Sequence, residues 1–149
     1  MSGRAVALFA VVGIPTLFYS GIPLGERSPY KSRKYTQETA ALRNLQVIGT
    51  AQVQYNSQFG RYARSLSELG PSASNLIPAD LAGGEKQGYR FSLLETPQGY
   101  SAQAVPVAFG STGSRTFYGD QSLILRQNYC PEPATGNSKE IGSTAVKRR

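Results

Sequence analysis

Three hydropathy regimes follow one another along the chain. The first is a charge-free apolar run, AVALFAVVGIPTLFYSGIPL, from Ala5 to Leu24. The second has helical period: Ala41, Leu45, Ile48, Tyr55 and Phe59 recur on one face, with Gln52 the only polar intruder. Arg43, Gln46, Thr50, Gln54 and Ser57 fall on the opposite side. Thr36 is the expected N-cap, Glu38 falls in the first turn, where a carboxylate suits the helix dipole, and Gly60 is the expected stop. The phrase SLSELG predicts one short helical turn, with Ser65 as its cap and Glu68 three residues on as a capping box. LIPADLAGG predicts a second short turn stopped by two glycines.

The third regime has period two. Tyr89, Phe91 and Leu93 alternate within Gly88–Glu95. Tyr100–Val107, Arg115–Asp120 and Ser122–Gln127 supply three further expected strands, separated by TPQG, GSTGS and GDQS turns. Pro106 marks a strand end or an edge. The predicted class is α+β: an N-terminal membrane-spanning helix, then a long amphipathic helix packed on a four-stranded antiparallel meander. The expected organisation is a membrane anchor over 1–25, a basic neck over 26–34, an extramembrane domain over 35–129, and a tail over 130–149. The tail, rich in Pro, Gly, Ser and Thr, is expected to be flexible or partner-bound.

The anchor expectation rests on length and flanks. About twenty residues at about 1.5 Å each match the apolar thickness of a bilayer. Tyr19 sits where an interfacial aromatic belongs, and Pro15 would kink the helix. A cleaved signal peptide is the alternative, but no small-x-small cleavage site follows the run, so Met1 or Ser2 is the expected mature terminus. Arg27, Lys31, Arg33 and Lys34 follow the run and only Arg4 precedes it. A positive-inside count alone therefore places the C-terminal domain in the cytoplasm.

Composition narrows the chemistry. The chain carries no histidine and one cysteine, Cys130, which removes the commonest general base and any internal disulfide. The acids number 9 against 16 Lys+Arg, a net charge of +7, and no local pair of carboxylates offers opposed acid and base roles. Basic charge favours phosphate, lipid headgroups or acidic protein surfaces. No basic stripe interleaved with aromatics appears, so no nucleic-acid partner is expected. Neither an enzyme, a cofactor nor a metal site is expected. Arg27, Lys31, Arg33, Lys34, Pro15 and Tyr19 are the candidate membrane or partner contacts. Asp120 reads as a ligand or base against a turn-stabilising role, the latter favoured. Tyr89, Tyr100, Tyr118 and Phe91 read as a stacking platform against core and cross-strand pairs, the latter favoured. Arg90 and Arg115 read as anion grips against solvated strand faces, the latter favoured, and Cys130 as a bystander.

Four phrases in order carry a family resemblance. They are the A-L-R-x-L-x-x-I-x-x-A-Q-x-x-Y helix (Ala41, Leu42, Arg43, Leu45, Ile48, Ala51, Gln52, Tyr55), the G-x-Y-x-x-S-L-x-x-L phrase (Gly60, Tyr62, Ser65, Leu66, Leu69), the G-Y-x-F strand (Gly88, Tyr89, Phe91) and the F-Y-x-D-Q-S hairpin (Phe117, Tyr118, Asp120, Gln121, Ser122). Over roughly Gln37 to Arg126 the chain resembles the soluble domain of bacterial type IV pilin-like (prepilin-like or pseudopilin-like) proteins. The resemblance implies a long helix packed on an antiparallel sheet, at the bacterial inner (cytoplasmic) membrane as a single-pass protein. It also implies a C-terminal domain on the periplasmic side, which is the orientation expected here against the charge count. The sequence departs from the family at its start: Gly3 precedes Arg4, and no acid appears before Glu26. The leader-peptidase motif and the early glutamate are missing, which counts against self-assembly into filaments. The expected function is a non-catalytic, single-span accessory subunit whose domain docks to a larger membrane complex, photosynthetic, respiratory or secretory. The alternatives are a minor pilin or pseudopilin, and a polyanion- or DNA-binding envelope module.

Overall fold

Helix α1 runs from Pro29 to Phe59, 31 residues, in the computed structural model, which describes residues 29–142. It starts earlier than the Thr36 cap predicts. The segment 29–34, expected as part of a basic neck, is helical. Gly60 ends α1 as predicted: its φ is +69° and its N–H donates to the Asn56 carbonyl at 2.8 Å.

Two single-turn helices follow, α2 (Leu66–Leu69) and α3 (Ala79–Ala82). Ser65 Oγ accepts from the Glu68 N–H, as the capping phrase predicts. The reciprocal half differs, because the Glu68 carboxylate accepts from the N–H of Arg64 at 3.2 Å. Leu66, Leu69, Ile77 and Leu81 bury beside α1 and extend the core.

The sheet corrects the four-stranded expectation. It is one six-stranded antiparallel sheet in sequence order: β1 (Glu85–Lys86), β2 (Tyr89–Thr96), β3 (Gly99–Pro106), β4 (Thr116–Asp120), β5 (Arg126–Asn128) and β6 (Lys139–Glu140). The two additional strands are two residues each and polar, so neither has an alternation to read. Tyr89, Phe91 and Leu93 face the core as their period predicts, joined by Tyr100, Ala102, Ala104 and Phe117. Expected strand Ser122–Gln127 instead begins at Arg126. Asp120 Oδ1 accepts from the Ser122 N–H at 2.9 Å, and Leu123 sits at φ +61°, which breaks the extended path.

The anchor expectation is corrected as well. Among the described residues no helix is long and apolar enough to cross a membrane. The described residues therefore form an α+β unit with no spanning helix among them, and Ala5–Leu24, with Pro15 and Tyr19, lies outside the described residues.

The core sits between α1 and one face of the sheet: Ala41, Leu45, Ile48, Ala51 and Tyr55 of the helix stripe are all buried. Phe59, placed on the same stripe, is 56% exposed because the helix outruns the sheet there; its ring lies 4.4 Å from that of Tyr55. On the opposite sheet face, the β3–β4 part is covered by chain expected to be tail, while Arg90, Ser92 and Leu94 of β2 stay exposed. Gln103 Nε2 donates to the Ala134 carbonyl at 3.1 Å, Thr116 Oγ1 donates to that of Glu132 at 2.9 Å, and Ala134 is fully buried. The 130–142 part of that segment thus packs, and β6 completes the sheet.

Candidate docking surface

The register of the sheet defines two ends of the domain. At one end lie the first turns of α1, the start of β2, and the β3–β4 connection, tied together by the Val107 N–H donating to the Gly88 carbonyl at 2.9 Å. The Gln37 side chain crowds Gly88, where a Cβ would come within 2.7 Å of its amide nitrogen. This is the end at which the chain enters the domain. At the other end are Gly60, the β2–β3 hairpin and the Asp120–Leu123 turn.

The entry end holds the candidate contacts that the structure describes. Lys31 and Arg33 are exposed on α1 and Lys34 is half-buried. Arg27 lies outside the described residues, as do Pro15 and Tyr19. Arg33 and Gln37 of the helix meet Ser111 and Thr112 of the β3–β4 connection around an open pocket of about 210 Å³.

One helical turn further, the helix is locked to the sheet by charge. Glu38 Oε2 lies 2.8 Å from Arg115 Nη2, while Glu38 Oε1 accepts from the Ser114 N–H at 2.7 Å. Arg115 also donates to Gln127 at 2.9 Å and lies over the Phe117 ring. With side chains only 8% and 18% exposed, the pair is desolvated and geometrically matched. Arg115 is therefore neither an anion grip nor a solvated residue. Sequence separation hid the pair, although one signal was available: Glu38 lies three positions before Ala41, on the buried stripe itself. Tyr89 OH donates to the Arg115 carbonyl at 2.9 Å, and burial, reinforced by the Glu38 charge, pushes its phenol well above the ordinary range.

Gln52 is the second polar lock. It is fully buried, and its amide bonds both ways with the backbone of Ala63, accepting at 2.8 Å and donating at 2.9 Å. It fixes the loop after α1 as a backbone partner would. Around it Tyr55, Arg61 and the Arg64 N–H converge on the Glu68 carboxylate. Burial opposes the Glu68 charge, but these donors outweigh it and hold the carboxyl below its ordinary range.

A second depression, about 300 Å³, opens between α1 and the sheet, lined by Leu45, Gly49, Tyr100, Ala102, Leu123 and Leu125 among others. Leu123 leans over Gly49, where a Cβ would lie 3.1 Å from its methyl. Desolvation, with smaller contributions from Tyr62 and Asp120, pushes the Tyr100 phenol up to about 12. Asp120 is held in its own turn by Ser122, in the Asx manner the sequence favours. The aromatic residues divide: Tyr89, Tyr100 and Phe91 are core, and Tyr118 is half-buried on the opposite face. Arg90 is exposed, 3.8 Å from Glu85. Cys130 is a free thiol donating to Asn128 Oδ1 at 3.0 Å. Among the described residues no group of three or more Cys, Asp or Glu side chains is placed to hold a metal ion.

Comparison with protein-family models, curated proteins and solved structures finds no match for the chain.

Proposed function

We propose that this chain is a non-catalytic accessory subunit that docks its α+β domain onto a larger assembly of the bacterial cytoplasmic membrane, on the periplasmic side. The observation that carries the reading is the rigid presentation of basic charge at the entry end. Lys31 and Arg33 stand exposed on α1, and the buried Glu38–Arg115 pair fixes that part of the helix to the sheet. Charges held on a fixed frame lose little freedom on binding, so more of their attraction is retained. The charge-free Ala5–Leu24 sequence a few residues upstream supports a membrane location for this end. The resemblance to pilin-like proteins supports the same location, and a helix lying on an antiparallel sheet is the arrangement it implies.

Reversing the charges of Arg27, Lys31, Arg33 and Lys34 together tests the reading. Each basic residue near anionic headgroups contributes about 1 kcal/mol, and an acidic partner surface acts in the same sense. The reversed chain should keep its circular-dichroism spectrum and lose most of its co-purification with the membrane assembly at physiological salt. Undiminished co-purification would remove the basic end from the docking role.

A further inference from the structure

Resting on the membrane location proposed above, we infer that the entry end lies in the headgroup layer of an anionic membrane. The β3–β4 connection dips into that layer, and a lipid phosphate seats against Arg33.

The connection is built as a firm tip. The N–H groups of Ser111 and Thr112 both donate to the Ala108 carbonyl, at 3.0 and 2.9 Å, and Gly110 N–H donates to the Gly113 carbonyl at 2.7 Å. Thr112 Oγ1 accepts from the Ala108 N–H at 3.2 Å. This inward-turned bonding leaves Val107 and Phe109 outside, 43% and 40% exposed. Two more exposed aromatics belong to the same end. Tyr35 is on the early turns of α1, and Tyr129 follows Asn128, which pairs with Thr116 at the entry end of β4. Aromatics and apolar side chains beside basic residues are the composition of a membrane–water interface.

The pocket beside the tip supplies the polar half. Arg33, Gln37, Ser111 and Thr112 line it, so a guanidinium, an amide and the Ser111 hydroxyl border one space, the Thr112 hydroxyl being taken up by Ala108, and none of these residues is acidic. Arginine suits a phosphodiester because its fork donates in a plane to two oxygens. A phosphate at Arg33 and a phenyl ring at Phe109 would lie at adjacent depths of one headgroup layer.

The absence of tryptophan allows a clean test. A full-length Phe109→Trp chain carries one indole, at the tip. It is mixed with phosphatidylcholine vesicles, with and without phosphatidylglycerol, and flotation establishes that the chain is bound. The expected result is blue-shifted emission quenched by brominated lipid, stronger with phosphatidylglycerol. Adding Arg33→Glu should abolish the difference between the two compositions, and circular dichroism checks that both variants fold. Water-exposed emission from vesicle-bound chain would overturn the inference and leave the membrane location standing. Equal quenching in both lipids, or a difference that Arg33→Glu leaves intact, would overturn the contact between Arg33 and an anionic lipid headgroup. Shielding seen only in a purified protein assembly would assign the tip to an acidic protein partner instead. Failure to float would overturn this inference and the membrane location together.

Discussion

The carboxylate of Glu38 and the guanidinium of Arg115 meet at 2.8 Å across 77 residues of chain, joining the helix to the sheet at the entry end. Removing one partner leaves a buried charge without its counter-ion, which costs about 3–5 kcal/mol. Glu38→Leu should therefore lower the urea-unfolding free energy by that amount. Glu38→Leu with Arg115→Leu should recover part of the loss. Recovery stays incomplete because Ser114 N–H and Gln127 lose their partners too. Additive losses in the double variant would show that the two groups are not coupled.

Two buried amides on α1 predict opposite outcomes. Gln52 satisfies both backbone atoms of Ala63, so Gln52→Leu should destabilise by about 1–3 kcal/mol for each group left unpaired. Asn44 is also buried, but its Nδ2 has no hydrogen-bond partner among the described residues. Asn44→Leu should be neutral or stabilising, since it removes a desolvated donor of similar volume. Thermal denaturation of the two variants side by side checks the pair of signs.

The 3.6-residue period legibly placed Ala41, Leu45, Ile48 and Tyr55 in the core, and the two-residue period did the same for Tyr89, Phe91 and Leu93. It failed at Phe59, because periodicity gives the direction of a side chain and says nothing about where the partner sheet stops. Strands β1 and β6 are held by backbone pairing of polar dipeptides, Glu85–Lys86 and Lys139–Glu140, which have no hydropathy signal. The packing of 130–142 on the sheet depends on the carbonyls of Glu132 and Ala134, groups any sequence possesses. At the candidate docking surface, the exposed basic residues Lys31 and Arg33 are visible in the composition. The β3–β4 tip and the Arg33 pocket are not, since they depend on the register that brings Ser111 and Thr112 to the first turns of α1.

Gly113 allows the closest approach in the core. A Cβ there would sit 2.0 Å from the Tyr89 hydroxyl and 2.6 Å from its ring carbon. Gly113→Ala should cost about 1–3 kcal/mol through forced displacement of the ring. Tyr89→Phe in the same chain should relieve only part of this, because the ring carbon remains. Calorimetry of the single and double variants measures both.

Glu68 sets an acid dependence. Its folded-state pKa is depressed, so the unfolded chain takes up the proton first as pH falls. The stability it contributes is present above the ordinary glutamate value of about 4.3 and is lost as pH falls through the lower folded value. Glu68→Gln should thus be less stable than the parent at neutral pH. The gap should close in the acid range below about 4. A gap that persists unchanged into that range would assign the effect to packing.

The central claim, that the chain works as a docked subunit, is tested most directly by the size of the native particle. The tagged full-length chain is extracted from its own membranes in mild detergent at physiological salt, and the particle mass is measured. The account predicts a particle far larger than the 16.0 kDa chain, containing defined membrane subunits at fixed stoichiometry. The particle should fall apart when Arg27, Lys31, Arg33 and Lys34 are charge-reversed. A chain recovered only as a free monomer, with no loss to the assemblies when it is deleted, would contradict it.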